Sequence, residues 1–81
     1  MTNTDMIRAN LLGGIKAGYT HMLMVCDTFD YTDYPVFARS KQEAHVLYDK
    51  HNGLNMQRVM EVYNLALPIE DQLREQRAMH F

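Results

Sequence analysis

The chain holds one cysteine, Cys26, so no intramolecular disulfide can form and nothing ties it to an oxidising compartment. Its longest uninterrupted apolar run is the five residues Met22 to Cys26, far short of the roughly 20 that a membrane-spanning helix needs. Charge of one sign is also scarce. Eight basic residues face ten acidic ones, the net charge is −2, and no like-charged run reaches five residues. The basic footprint of a nucleic-acid binder is therefore missing, and the acidity is too weak for a DNA mimic. The start, Met1-Thr2-Asn3-Thr4-Asp5, lacks the basic stretch and apolar run of a signal peptide. These absences predict a cytoplasmic protein with no membrane or nucleic-acid partner.

What is present suffices for one core. Apolar residues make up 47% of 81 residues, which predicts a single domain over 1–81. A chain this short buries only roughly 60–65% of the surface its unfolded form exposes, and its margin of stability is about 5 kcal/mol. Association would help so small a core, so a homo-oligomer is expected.

The patterning predicts the order α-β-β-α-β-α. A first helix spans about 3–17, with Thr2 and Asp5 as a weak capping box. Ile7, Leu11 and Ile15, with Leu12 beside them, form its apolar stripe, and Gly18 is its stop. Gly13-Gly14 weakens this helix by about 2 kcal/mol relative to alanine. The pair marks either an early end or a close approach to a sheet. Tyr19 to Cys26 reads as a central strand covered on both faces. A turn-rich segment, Asp27 to Pro35, then leads into a short strand over Tyr34–Arg39. In it Val36 and Ala38 lie on one side and Phe37 on the other. Ser40-Lys41-Gln42-Glu43 is a full capping box opening a helix with Ala44, Leu47 and Tyr48 on one face and Asn52-Gly53 as its end. Residues 56–66 fit either a helix face or a strand; a strand is preferred, because a two-stranded ribbon alone is marginal. A last helix begins near Pro68, with Glu70 and Asp71 in its first turn, Arg74 and Arg77 toward its end, and Glu70–Arg74 as an i,i+4 pair. The expected fold is α+β: a small two-layer sandwich in which helices pack on one side of a three-stranded antiparallel sheet.

The chemistry-bearing residues mostly favour plain roles. Cys26 ends an apolar strand beside Asp27, which suits a buried apolar cysteine better than a nucleophile. His21, His45, His51 and His80 have no metal-ligand spacing and no second cysteine. His21 reads as a strand residue, His45 and His51 as solvated helix residues, and His80 as part of a mobile end. Asp27, Asp30 and Asp33 recur every third position, without the alternate ligands, central glycine and closing glutamate of a calcium loop. They read as turn residues. Gly13 to Gly18 precedes a strand and lacks a Gly-Lys-Ser/Thr ending, so it is no phosphate loop. Of the seven methionines, Met22, Met24 and Met60 read as core, and Met56 and Met79 as the exposed ones. The aromatic group Phe29, Tyr31 and Tyr34, with Phe37, either folds back on the core or offers flat faces to a base or a partner side chain. Arg39, Arg58 or Lys50 would supply a phosphate contact if they converge on it.

The segments Cys26-Asp27-Thr28-Phe29-Asp30-Tyr31, Asp33-Tyr34-Pro35-Val36 and Asn55-Met56-Gln57-Arg58-Val59-Met60-Glu61-Val62-Tyr63 resemble a family of small uncharacterised phage and prophage proteins. The resemblance extends over most of the chain, to Gln72-Leu73 and His80-Phe81. It implies an origin and no particular mechanism. Small phage proteins of this kind often act by binding, either blocking a host protein or sequestering a signal of antiviral defence.

The expected function is therefore a non-enzymatic phage-type binding protein that counteracts a host system, with no cofactor and no metal. Its partner is a host protein or a small nucleotide-like ligand. The candidate contact residues are Phe29, Tyr31, Tyr34, Arg39 and Arg58. A structural or assembly protein of the virion is the alternative. A small enzyme ranks last, for want of any nucleophile–base or metal spacing.

Overall fold

A computed structural model describes residues 4–53 and 56–81. The apolar stretch before Asp27 becomes the middle strand of the sheet, β1 (His21–Asp27). It pairs antiparallel with β2 (Thr32–Ala38) on one side and β3 (Gln57–Asn64) on the other, giving the order β2-β1-β3. The helices are α1 (Thr4–Lys16), α2 (Lys41–His51) and the short α3 (Ile69–Leu73). The α+β class, the element order and the third strand are as the sequence predicts. The Thr2 cap lies outside the described residues. Among the described residues, no helix is long and apolar enough to cross a membrane.

Side chains alternate across a strand, so β1 feeds two cores. Met22 and Met24 join Leu11, Tyr63, Leu65 and Ala78 on one face, with α1 and α3 contributing Ile7, Ile69 and Leu73. Leu23 and Val25 join Ala38, Ala44, Val59 and Val62 on the other, packed by Leu47 and Tyr48 of α2. Helices thus cover both faces of the sheet, not one side only, which is what a strand buried at every position from His21 to Val25 requires. Each fully buried aliphatic side chain contributes about 2 kcal/mol relative to exposure.

The register of β3 carries an irregularity that the sequence does not signal. Met24 faces Glu61, yet Val25 faces Val59, so Met60 is an extra residue in the ladder. This bulge lets Val59 and Val62, an odd number of residues apart, share the α2 face. It also turns Met60 out, leaving it 38% exposed where a core position is expected.

The two glycines in α1 have different surroundings. Gly14 is buried, and a Cβ there would lie 2.6 Å from Phe37 Cε1 and 3.1 Å from Leu65 Cδ1; Gly13 has nothing within 4 Å. Of the two readings of this pair, close approach to the sheet is the one realised. The helix leans on the Phe37 ring at Gly14, so the inward stripe runs through Ile7, Leu11 and Gly14, while Leu12 and Ile15 are left 54% and 41% exposed.

Ser40 caps helix α2 as its sequence specifies, but the return bond of the capping box reaches Arg39, one residue before the cap. Ser40 Oγ accepts the Glu43 N–H at 3.0 Å, and Glu43 Oε1 accepts the Arg39 N–H at 2.9 Å. Helix α3 is shorter than expected and ends at Leu73. Glu70 pairs with Arg8 of α1 at 2.8 Å, not with Arg74, which contacts Asp71 instead. Arg77 lies beyond the helix and donates to the carbonyls of Met60 and Val59.

The end of the chain is docked. Met79 bridges Val62 in parallel, with the Val62 N–H donating to Ala78 O and the His80 N–H to Val62 O. Phe81 stacks on His45 with centroids 4.1 Å apart, and His80 Nε2 lies 2.6 Å from Glu75 Oε2. Met79 is therefore half-buried against the second core, and His80 is held in place. Both differ from the expectation of an exposed, mobile end, because the β3 edge offers backbone partners that no local pattern reveals. The tail covers that edge. β2, with Pro35 at its middle, is the outer strand on the other side, and proline there discourages further pairing.

Candidate functional site

The β1–β2 connection is four residues, Thr28 to Tyr31, and its backbone is fixed by its own polar side chains. Asp27 Oδ1 accepts the Phe29 N–H at 2.9 Å. Asp30 Oδ1 accepts the Thr32 hydroxyl at 2.8 Å. Asp27 and Asp30 thus act as turn residues. Thr28 ties the turn to the neighbouring strand: its N–H and its hydroxyl both donate to Met56 O, at 2.7 and 2.6 Å.

On this scaffold stand two unburied rings. Phe29 is 75% and Tyr31 77% exposed. Tyr31 also sits in the left-handed region, φ +58°, a conformation costing an L-residue about 1–2 kcal/mol. Met56, clamped beside the turn by Thr28, has φ +61° and is 57% exposed. Thr28 and Met56 belong to this end of the molecule but lie 28 residues apart in sequence, so only strand pairing brings them together.

The aromatic group divides. Tyr34 is half-buried on the α2 face, where its hydroxyl accepts from Gln57 Nε2 at 2.7 Å. Gln57 Oε1 lies 2.9 Å from His51 Nδ1, which makes that ring nitrogen the donor. His51 also meets Tyr34 edge-on, at 6.4 Å between centroids. This Tyr34–Gln57–His51 group braces the hairpin against α2 and β3 beneath the turn. Phe37 packs on the opposite face, stacked on Tyr19 at 5.0 Å.

The two arginines separate as well. Arg58 pairs with Cys26 in register, near the turn, and is exposed. Arg39 follows Ala38 at the far end of β2, roughly 23 Å away along the strand, with its guanidinium 5.0 Å over the Tyr19 ring. No convergence of Arg39, Arg58 and the rings occurs. Lys50 is exposed in the last turn of α2, the end that His51 ties to β3.

The remaining chemical groups are quiet. Burial raises the Cys26 thiol above its ordinary range, reinforced by a hydrogen bond with Asp33 and the Asp33 and Asp27 charges, against a smaller opposing effect of Arg58. A thiol held protonated is a poor nucleophile. His21 is buried. Its Nδ1 lies 2.8 Å from Thr20 Oγ1, and its buried Nε2 has no hydrogen-bond partner. Among the described residues, no group of three His, Cys, Asp or Glu is arranged to hold a metal ion, and no pocket is formed. No family model, curated protein or solved structure matches the chain at a significant level.

Proposed function

We propose that the chain is a non-enzymatic binding protein that engages a partner protein through the β1–β2 turn. The observation that carries this reading is the pair of rings, Phe29 and Tyr31, three-quarters exposed on a turn that is hydrogen-bonded by its own aspartates. Aromatic rings presented on a preorganised support are the usual anchors of protein contacts, because they bury large area with few rotatable bonds. Tyr31 also accepts a costly backbone conformation without gaining burial in return, a pattern typical of functional positions. Small phage proteins of the kind this sequence resembles often act by binding, which favours a host protein as the partner and counteracting a host system as the purpose. A nucleotide sponge is less supported, since Arg39 lies at the other end of the sheet and the turn is flanked by aspartates.

The test uses lysate of a bacterial host. The protein and its Phe29→Ala/Tyr31→Ala variant are immobilised, and retained proteins and denaturation-released small molecules are measured by mass spectrometry. A stoichiometric host protein retained by the wild type and lost by the variant is expected. Equal retention by both removes the turn from the reading, and a stoichiometric nucleotide replaces the reading with sequestration.

A further inference from the structure

We infer that the partner segment received by this turn is basic: an arginine- or lysine-bearing stretch of another protein. The inference rests on the turn being a protein-docking surface, and it adds the chemistry of the occupant. Asp27 and Asp30 flank Phe29 in the turn, Asp33 follows on β2, and α2 brings Asp49 to the same end, where the cations are Lys50, Arg58 and Arg77, whose guanidinium reaches the Val59 carbonyl. The opposite end of the sheet mixes both signs: Lys16, Arg39 and Lys41 stand with Glu43, and α3, tied to Asn64 by Gln72, adds Glu70 and Asp71. The exposed rings of Phe29 and Tyr31 have aspartates as their near neighbours along the chain. Asp27 and Asp30 hold the turn through Oδ1, and Asp30 lies between Phe29 and Tyr31 in the chain. A guanidinium laid on such a ring meets the negative face of its π-system and a carboxylate at its edge together. An anionic or purely apolar segment gains neither and meets repulsion or unpaired carboxylates instead.

Selection of random linear peptides against the folded protein tests this. The expected outcome is an enriched family carrying arginine or lysine beside an apolar residue. Its affinity falls with added salt, and about tenfold on Asp27→Asn/Asp30→Asn, since two exposed charge contacts are lost. Asparagine keeps Oδ1, so the turn persists in that variant and the change reports charge. Phe29→Ala/Tyr31→Ala abolishes the binding. Peptides that need both rings but lack cationic residues, or ignore the Asp→Asn changes, overturn the basic partner while leaving the docking turn intact. Peptides that survive loss of the rings, or no enrichment, sink both. Sedimentation of the protein alone supplies the last arm: self-association that disappears in the ring variant assigns the turn to a second copy and overturns the inference.

Discussion

Adjacent glycines in α1 should respond to alanine with opposite signs. In a helix interior, alanine is favoured over glycine by about 1 kcal/mol. At Gly13 nothing lies within 4 Å of the new Cβ, so the whole gain is realised. At Gly14 the Cβ would sit 2.6 Å and 3.0 Å from two Phe37 ring carbons and 3.1 Å from Leu65 Cδ1. The Phe37 ring cannot simply yield, because Tyr19 is stacked on it at 5.0 Å. Overpacking of this kind costs about 1–3 kcal/mol, which cancels or exceeds the helical gain. Gly13→Ala is therefore expected to stabilise by about 1 kcal/mol, and Gly14→Ala to destabilise by up to about 2 kcal/mol. For a domain of this size, a gap of about 2 kcal/mol separates the two midpoints by roughly 10 °C. Urea titrations and thermal melts of both variants measure it. In the Gly14→Ala background, Phe37→Leu should recover part of the loss, a coupling that a double-mutant cycle reads directly. A Gly14→Ala protein as stable as Gly13→Ala would show that α1 does not rest on Phe37, and would refute the packing described here.

Three further outcomes are expected. Ser40→Ala removes the acceptor of the Glu43 N–H and should cost about 1 kcal/mol in a urea titration, while Ser40→Gly costs only a few tenths. The Tyr63 hydroxyl is pushed above its ordinary range, chiefly by burial and then by the bond it donates to Glu61 Oε2 at 2.7 Å. Since the folded state holds this proton more tightly, the associated stability is present below the unfolded value, near 10, and is lost as pH rises beyond it. Melts between neutral and strongly alkaline pH should show that loss in the wild type and not in Tyr63→Phe. Cys26, raised by burial and by Asp33, should react with iodoacetamide more slowly than a free thiol at neutral pH. Asp33→Asn should speed the reaction, and an unchanged rate would discount the aspartate.

Signals that act within one turn of chain were legible in the sequence. Ser40 and Glu43 start α2 because a side-chain oxygen reaches an amide three residues away whatever the rest of the fold does. Asn52-Gly53 ends it, with Gly53 at φ +88°. The apolar run before Asp27 could only be a covered strand, and Asp27 and Asp30 could be recognised as turn formers. These fixed the element order, and with it the place of the turn that carries Phe29 and Tyr31.

The tertiary structure alone decided which rings stay in water. Phe29, Tyr31, Tyr34 and Phe37 are alike as sequence; strand alternation sends Tyr34 and Phe37 to opposite cores, while the turn leaves the other two outside. Pairing register likewise set the Met60 bulge, the clamp of Thr28 on Met56, the distance of Arg39 from the turn, and the docking of Met79 to Phe81. Each depends on chain segments far apart in sequence meeting across a sheet. The free energy of such contacts comes from burial and strand pairing and not from any neighbour along the chain, so local patterning carries no trace of them.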